Sequence, residues 1–259
     1  MAALVYSLIL STLLAAFALW RRALTVPAGV LAWCFSVIIT FAGGLGCFAA
    51  LAATFVFTVI AGKISGARRE SVEVKLHKKT GRRDAVQIIC NVGVGTLMLA
   101  LYALTHRGTF FLAYAAVMAA SLADSMASEL GVLSRRRPVD IFTFKPAQPG
   151  LSGAVSPFGT LCSLIGAALI AAVFALTTGC GMTAAALITV LGFVGALVDS
   201  ALGSALQAKY RCPVCSALTE KPVHCSQAGR LEKGLGWVNN DCVNLLNNLI
   251  TAALAIIVF

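Results

Sequence analysis

The sequence predicts an all-α polytopic membrane protein, a single bundle of about eight transmembrane helices. Of its 259 residues, 59% are hydrophobic and only 12% are charged, whereas a water-soluble domain of this length has far more charge. Apolar runs of about 20 residues, enough to cross a bilayer, recur along the whole chain. The basic residues behind the net charge of +10 collect in alternate connections between these runs. We therefore treat residues 1–259 as one integral membrane domain.

The predicted helices follow the apolar runs in order. The first begins MAALVYSLIL, and its Arg21 and Arg22 come after the apolar run, the opposite polarity to a cleaved signal peptide. We therefore expect this helix to be retained. Between the second and third runs, FAGGLG is either a loop or a kink in a longer helix. The predicted helices, numbered 1 to 8, cover residues 2–20, 27–42, 45–62, 85–105, 109–130, 157–178, 182–207 and 241–259.

The basic residues predict the orientation of the bundle. They cluster after predicted helices 1, 3, 5 and 7, whereas the opposite connections contribute only Arg107. Because cytoplasmic connections are enriched in Lys and Arg, both termini are expected outside the cytoplasm. Orientation explains the positive charge, so no nucleic-acid partner is required. We expect a multi-pass protein surrounded by membrane lipids (in the cell membrane, if the source is prokaryotic) with its site on the cytoplasmic side.

Polar residues interrupt the cytoplasmic halves of four predicted helices. Helix 5 ends in ADSMASELG, which contains Asp124 and Glu129. Helix 7 contains Asp199, with Gln207 eight residues later on the same face. Helices 4 and 8 each begin with the pattern D-x-x-[QN]-x-x-x-N, whose spacing places the three residues on one helical face. The first copy is Asp84, Gln87 and Asn91, and the second is Asp241, Asn244 and Asn248. An internal duplication and coincidence explain the two copies equally well.

Carboxylates within a bilayer cost several kcal/mol each unless they are paired, hydrated or bound to metal. All four polar stripes are therefore expected to face one water-accessible cavity that opens to the cytoplasm. For Asp124, Glu129 and Asp199 a functional role is favoured, because amides would join helices at lower cost. Four serines are expected instead to form hydrogen bonds between helices: Ser121, Ser125, Ser128 and Ser204.

Two basic connections carry groups that suit phosphate. Arg82 and Arg83 precede predicted helix 4 at the expected mouth of the cavity, and arginine binds phosphate through paired hydrogen bonds. The second connection contains FKPAQPGLSGAVSPFGT, in which Lys145 precedes a Gly/Ser run. Backbone N–H groups around Ser152 and Gly153 could bind an anion there. A plain turn is the alternative interpretation of this run. The connection between predicted helices 3 and 4 has other basic residues, which the orientation of the protein and attraction to anionic lipid headgroups explain. They are Lys63, Arg68, Arg69, Lys75 and Lys78.

Carboxylates beside phosphate-binding groups predict a divalent cation that bridges phosphates. Mg²⁺ commonly uses one or two carboxylates together with substrate oxygens and water. The chain has neither a G-x-x-x-x-G-K-[ST] loop nor a kinase Gly-rich loop with a catalytic H-R-D. Any nucleotide chemistry therefore requires a different, membrane-embedded site.

The connection after predicted helix 7 contains CPVCSALTEKPVHC. Cys212, Cys215, His224 and Cys225 could close a tetrahedral Zn²⁺ site. The second C-x-x-C pair of many such sites is absent, and reduced thiols in a cytoplasmic loop are the alternative interpretation.

Several of these motifs together resemble a membrane family that contains plant phytyl-phosphate kinase and animal transmembrane protein 19, and that is related to CTP-dependent polyprenol kinases. The resemblance covers residues 79–259, the expected catalytic core, whereas residues 1–62 carry little of it. It implies transfer of the γ-phosphate of a nucleoside triphosphate, with CTP the expected donor, to an isoprenoid monophosphate such as phytyl or geranylgeranyl phosphate. The motifs are GRRDAVQIICNVG, ADSMASELG, FKPAQPGLSGAVSPFGT, LVDSALGSALQ, KYRCPVC…HC and NNDCVNLLNN.

The resemblance and the polar stripes together suggest a role for each residue. The expected Mg²⁺ ligands are Asp124, Glu129 and Asp199, with Asp84 or Asp241 completing the site; Asp241 is grouped with the first three as catalytic. The expected phosphate-binding groups are Arg82, Arg83 and Lys145, aided by the backbone at Ser152 and Gly153. The amides expected to orient substrate or metal-bound water are Asn91, Asn244 and Asn248.

Other functions remain open at this stage. A lipid-alcohol kinase or a cytidylyltransferase could use the same site, and an alcohol would need a base such as Asp199 or Asp241. The D-x-x-D-G-x-x-A-R signature of CDP-alcohol phosphotransferases is absent. A transporter of lipid phosphates would need access from both sides, whereas the outer segments LMLALYAL and TAALAIIVF are apolar and favour a one-sided enzyme.

Overall fold

The computed structural model of the chain describes residues 2–76 and 82–259, with the backbone alone in 67–76. Lys78 therefore lies outside the described residues. Seven helices in these ranges are long and apolar enough to cross a membrane, and the all-α membrane fold is confirmed. The helices are α1 (Ala2–Trp20), α2 (Val26–Leu76), α3 (Ala85–Ile88), a π-helical turn (Ile89–Gly93), α4 (Val94–Thr105), α5 (Gly108–Gly131), α6 (Pro157–Thr178), α7 (Met182–Ala205) and α8 (Asn240–Val258).

Element α2 contains predicted helices 2 and 3, which join at a kink. Its apolar part, Val26–Gly66, has 41 residues, about twice the length that one crossing needs. Gly44 interrupts it with φ 74° and ψ −168°, a conformation open to glycine, so FAGGLG forms a break within the element. The backbone also stays helical from residue 63 to Leu76, apart from Gly66, where the sequence predicted a loop. Charged residues such as Glu, Lys and Arg are good helix formers, which accounts for this extension.

Contacts along α2 indicate that its two halves run in opposite directions. Leu24, just before α2, pairs with Arg83 at the start of α3. A Cβ placed on Gly46 would lie 2.4 Å from Thr178, at the far end of α6, and a Cβ on Gly62 would lie 3.2 Å from Glu129, near the end of α5. The chain therefore crosses the bundle and returns within α2. The number of crossings and the extracytoplasmic position of the termini stay predictions.

Helix α5 is the centre of the bundle. Every residue from Ala113 to Ala123 is buried, and α6, α7, α2, α4 and α8 all pack around it. Small residues allow this close approach, as is common where helices meet in membranes. A Cβ on Gly192 of α7 would lie 2.6 Å from the Cβ of Ala119, and one on Gly195 would lie 2.6 Å from that of Ala120. A larger residue at either glycine would push α7 away from α5.

Short strands shape two connections at the same end of the bundle. The α5–α6 connection holds the antiparallel pair β1 (Val139–Asp140) and β2 (Ala154–Val155). Residues 209–233, here called the Cys/His ribbon, form a three-stranded sheet in the order β4-β3-β7 and a separate β5–β6 hairpin. Their strands are β3 (Lys209–Arg211), β4 (Leu218–Thr219), β5 (Val223–His224), β6 (Gln227–Ala228) and β7 (Arg230–Lys233).

Candidate functional site

A polar cavity of about 700 Å³ lies at the end of the bundle where α5 and α7 end and α3 and α8 begin. Helices, the α5–α6 connection and the Cys/His ribbon all contribute to its wall. Ten residues predicted as functional line it: Asp124, Glu129, Asp199, Asp241, Arg82, Arg83, Asn91, Asn244, Ser152 and Gly153. The structure therefore brings most of the predicted site to one place.

Four carboxylates approach the cavity from three helices. Asp124 and Glu129 come from α5, Asp199 from α7 and Asp241 from the first turn of α8. Glu129 is only 7% exposed and Asp241 only 6%. Acidic side chains are seldom so buried without charge-compensating partners, since desolvation disfavours their ionised form. A group of this kind suits a cation that several carboxylates share.

Arg82 and Arg83 lie on the cavity wall beside the beginning of α3. The backbone of Arg83 is fixed by two hydrogen bonds, from the Arg83 N–H to the Ala23 carbonyl (2.9 Å) and from the Thr25 N–H to the Arg83 carbonyl (3.0 Å). These bonds tie the start of α3 to the α1–α2 connection. The N-terminal helices, which carry few chemical motifs, thus help to position Arg83, which the sequence predicted to bind phosphate.

Asp84 does not line the cavity, and the structure gives its carboxylate a structural role. Asp84 Oδ1 accepts the Gln87 N–H at 3.0 Å, while Gln87 Oε1 accepts the Asp84 N–H at 3.0 Å. This reciprocal pair is a capping box, which satisfies N–H groups at the start of a helix. The observed contact corrects the suggestion that Asp84 completes a metal site.

Asn248 is also placed differently from its prediction. Its side chain is 1% exposed and absent from the cavity wall. Its Nδ2 donates to the Cys90 carbonyl at 2.8 Å, and its Oδ1 accepts from Ser121 Oγ at 3.3 Å. Ser121 Oγ also lies 3.1 Å from the carbonyl of Asn91. Both carbonyls belong to the π-helical turn, so Asn248 joins α8 to that turn instead of orienting substrate.

The π-helical turn itself directs Asn91 towards the cavity. Isolated π turns are often found at functional sites, because they rotate one side chain relative to the α-helical register. Asn91 Nδ2 donates to the Gln87 carbonyl at 2.8 Å, and both residues line the cavity. The i, i+3, i+7 pattern that predicted this face contained no sign of a π turn.

The Gly/Ser run differs from the predicted anion site. Lys145 is exposed and does not line the cavity. The Ser152 N–H donates to Glu220 Oε1 at 2.7 Å, and the Ser152 carbonyl accepts from Lys209 Nζ at 2.8 Å. The backbone of Ser152 therefore holds the Cys/His ribbon and is engaged by a carboxylate. Gly153 has φ +83°, and a Cβ there would lie 2.4 Å from Ser204, so glycine is needed for packing on α7.

Asp140 organises the α5–α6 connection, a role that the sequence did not reveal. Its carboxylate accepts from Ser204 Oγ at 2.5 Å and from the N–H groups of Phe142 and Thr143 at 3.1 and 3.0 Å. Lys233 Nζ lies 3.7 Å from it. Burial opposes ionisation of Asp140, but these hydrogen bonds outweigh it and hold its pKa well below the ordinary carboxyl range.

Further polar residues on the wall were not predicted as part of the site. Glu220 and Lys221, between β4 and β5, extend from the Cys/His ribbon to the cavity, and Gln207 lines it while only 2% exposed. Residues in connections follow no helical periodicity, so sequence spacing could not assign them to a face. Gln207 is the exception, because its position eight residues after Asp199 predicted that the two residues share a face.

The ribbon brings together the four predicted zinc ligands. The ligand atoms of Cys212, Cys215, His224 and Cys225 all lie within 4.8 Å of one another. Backbone N–H groups of Cys215 and Val214 donate to the Cys212 thiolate and lower its pKa to about 6. The cluster is a separate feature, since none of its four residues lines the polar cavity.

Comparison with known proteins identifies relatives across plants, cyanobacteria and archaea. Protein PGR of Arabidopsis thaliana is 26% identical over 277 residues, covering 97% of this chain and 94% of the plant protein. Protein VTE6, chloroplastic, of the same plant is 25% identical over 215 residues, covering 81% of this chain and 57% of VTE6. The uncharacterized membrane protein MJ0933 of Methanocaldococcus jannaschii is 27% identical over 199 residues, covering 74% of this chain and 69% of that protein.

A cyanobacterial relative, the uncharacterized membrane protein sll0875 of Synechocystis sp., is 29% identical over 258 residues, covering 95% of this chain and 87% of that protein. No solved structure matches the chain. The family model for integral membrane protein DUF92 matches residues 9–252, which include most of the N-terminal region that carries few motifs. The family resemblance drawn from the motifs is confirmed, and the chain belongs to the DUF92 family of integral membrane proteins.

Proposed function

We propose that the protein is an isoprenoid-monophosphate kinase, which transfers the γ-phosphate of a nucleoside triphosphate, CTP in the first instance, to a prenyl phosphate. The observation that carries the proposal is the meeting of four carboxylates and two arginines around one polar cavity of about 700 Å³. The motif resemblance to the family of phytyl-phosphate kinase supports the same reaction. A prenyl monophosphate is already an anionic nucleophile, so the main task is to bring two polyanions together.

The chain's residues divide this task between them. Asp124, Glu129, Asp199 and Asp241 would hold Mg²⁺, and the burial of Glu129 and Asp241 on a shared cavity wall fits that donor set. When bound, the metal neutralises phosphate charge and aligns the transferred group. Arg82 and Arg83 would bind phosphate oxygens, and Asn91 and Asn244 would orient substrate groups by hydrogen bonds.

The bond changes follow from these positions. A non-bridging oxygen of the prenyl phosphate forms a bond to the γ-phosphorus, and the bond from that phosphorus to the β–γ bridging oxygen breaks. The products are a prenyl diphosphate and a nucleoside diphosphate, and the arginines would stabilise the negative charge that develops on the bridging oxygen as it leaves. No group has to remove a proton from an ionised monophosphate, so the carboxylates can all serve the metal.

A second, apolar cavity supports a lipid substrate. Its volume is about 80 Å³, and it lies between α1, α2, the α3–π segment and α5. Leu14, Leu51 and Phe55 contribute to its apolar wall. Four residues line both cavities: Arg83, Gln87, Asn91 and Ser125. A prenyl phosphate could therefore place its phosphate among the polar groups and the first part of its tail in the apolar cavity.

The experiment that tests the proposal incubates purified protein in nanodiscs with Mg²⁺, each nucleoside triphosphate, and prenyl monophosphates of graded length. We expect prenyl diphosphate and nucleoside diphosphate in equal amounts, with greater activity on longer tails. Two further arms test the alternatives. Free prenyl alcohols replace the monophosphates in the first, and proteoliposomes loaded with labelled prenyl phosphate, without nucleotide, report transport in the second. Phosphorylation of alcohols alone, or flux without nucleotide turnover, would refute the monophosphate kinase, as would inactivity of folded protein on every pair.

A further inference from the structure

The Cys/His ribbon has no hydrophobic core of its own. In this fully described stretch the buried side chains are those of Lys209, Cys212, Thr219 and His224, while every Leu, Val and Pro is at least partly exposed. Its strands have only two to four residues each. Modules this small commonly rely on a metal or on disulfides to stay folded. Something other than apolar packing must hold its two hairpins together.

The separations among Cys215, His224 and Cys225 match those around a tetrahedral zinc ion, and the Cys212 sulfur lies within 4.8 Å of all three ligand atoms. Two thiolates about 2.3 Å from one Zn²⁺ lie about 3.8 Å apart, and a thiolate and an imidazole nitrogen lie about 3.5 Å apart. The Cys215 and Cys225 sulfurs are 3.9 Å apart. His224 Nδ1 lies 3.5 Å from the Cys215 sulfur and 3.2 Å from the Cys225 sulfur. The cluster thus has the dimensions of a single four-coordinate site.

The backbone turns sharply at both ligand pairs. Ser216, after the first pair, has φ 59°. Cys225, in the second pair, has φ 49°, and Ser226, which follows it, has φ 59°. Such left-handed conformations are unusual for residues other than glycine, and turns of this kind curl the chain around a central group. The turn at Cys225 allows two adjacent residues, His224 and Cys225, to direct ligand atoms to the same point.

We propose that Cys212, Cys215, His224 and Cys225 bind one structural Zn²⁺, and that this ion positions Glu220 and Lys221 at the polar cavity. Residues 220–222 connect the two hairpins that carry the ligands, since β4 ends at Thr219 and β5 begins at Val223. Glu220 in that connection accepts the Ser152 N–H at 2.7 Å. Zinc would thereby fix one wall of the cavity. The metal site itself is independent of the proposed kinase activity.

The metal content of the full-length protein tests the site directly. Protein purified in detergent without chelators, then exposed to Zn²⁺ and desalted, is expected to contain about one zinc per chain by elemental analysis. The double variant C212S/C215S should retain less than about a tenth of that amount. Cys180→Ser and Cys242→Ser make the same change outside the cluster and should bind zinc as the wild type does. Wild-type protein without zinc, or equal zinc in all variants, would overturn the proposal.

Thiol labelling and cobalt substitution test the ligand set without relying on activity. Cys215 and Cys225 are exposed, so a maleimide should label them rapidly if free but slowly if bound to metal. Chelation should raise their labelling at least about tenfold, and Co²⁺ should give the charge-transfer absorption of cobalt–thiolate bonds. Rapid labelling before chelation would contradict the site. A Cys215–Cys225 disulfide in the purified protein, found by mass spectrometry, would show that a disulfide and not zinc holds the two hairpins together, and would contradict the site.

The positioning role has a separate readout. Hydrogen exchange of residues 150–154 and 218–224 should increase on chelation, because Glu220 would no longer be held against Ser152. Exchange in the last part of α6, where Ile170, Ala171 and Phe174 belong to the apolar core, should stay unchanged. Loss of zinc without any change at 150–154 would overturn the link to the cavity. Kinase assays do not enter these measurements, so a failed kinase proposal and a failed zinc proposal would be distinguishable.

Discussion

Gly62 leaves room for the carboxylate of Glu129. A Cβ at this position would lie 3.2 Å from Glu129 Oε2, closer than ordinary van der Waals contact, so the carboxylate would have to shift by a few tenths of an ångström. If Glu129 helps to hold the metal, that shift matters more for turnover than for folding, because small misplacements of reacting groups are costly.

We therefore predict that Gly62→Ala lowers kcat/KM about tenfold with little change in thermal stability. The measurement is steady-state prenyl-phosphate phosphorylation alongside thermal unfolding in the same detergent. Gly108→Ala provides the matched control, since a Cβ at Gly108 meets nothing within 4 Å. Unchanged kinetics in Gly62→Ala would argue against a role for the Glu129 carboxylate.

Asp140 gives a pH dependence at the scale of one residue. Its pKa is depressed in the folded protein, so the ionised form stabilises the folded state. That contribution is complete above the ordinary carboxyl pKa, about 3.9, and is lost as the pH falls towards the folded pKa. Acid should consequently loosen the α5–α6 connection.

The variant Asp140→Asn removes the charge while keeping the size of the side chain. It should lower the free energy of unfolding by about 1–3 kcal/mol, because the hydrogen bond from Ser204 and the attraction of Lys233 weaken. Thermal unfolding followed from pH 7 down to about pH 2 measures this. The wild type should lose stability over the acidic part of that range faster than the variant does. Parallel curves for the two proteins would show that Asp140 is not the group responsible.

At the scale of a helix, α8 carries one amide that joins helices and another that lines the cavity. Asn244 faces the cavity, whereas Asn248, one turn further along, bonds to the Cys90 carbonyl and Ser121. Both belong to one periodic stripe, and the stripe alone could not distinguish them. The difference arises because the π-helical turn presents its carbonyls to α8, and only Asn248 is at the depth to meet them.

Alanine at these two positions should have opposite consequences. Asn248→Ala leaves the Cys90 carbonyl without its amide donor and should destabilise the bundle by about 1–3 kcal/mol. Asn244→Ala should leave the unfolding temperature nearly unchanged but lower activity about tenfold or more. Paired measurements of unfolding temperature and kcat decide between these roles. If Asn244→Ala proved the more destabilising of the two, the assignment would be reversed.

At the scale of the whole molecule, the helical part was largely predictable, because apolar length and carboxylate position are local properties of the sequence. Asp124, Glu129, Asp199 and Asp241 line one cavity because a bilayer penalises carboxylates elsewhere. The reversal at Gly44 falls at the glycine-rich break between predicted helices 2 and 3. Contacts such as Ser152 with Glu220, separated by 68 residues, depend on how connections fold over the bundle, and no periodicity records them.

The shared cavity also explains how remote parts of the chain cooperate. The α1–α2 connection fixes Arg83, α5 and α7 supply three carboxylates, and the Cys/His ribbon closes one side. If Asp124 and Asp199 hold a common metal, loss of either carboxylate should remove most of the activity. Loss of the second carboxylate should then lower the activity little further, because residues that act as a unit have non-additive effects.

A double-mutant cycle tests this most directly. Asp124→Asn, Asp199→Asn and the double variant are assayed with Mg²⁺, CTP and a prenyl monophosphate, with Glu232→Gln on the exposed β7 strand as control. We predict that each single variant lowers kcat about 100-fold or more. The double variant should lower kcat no further than the more impaired single variant does, and all variants should stay folded. Wild-type activity in either single variant, or losses that multiply in the double variant, would contradict a common site.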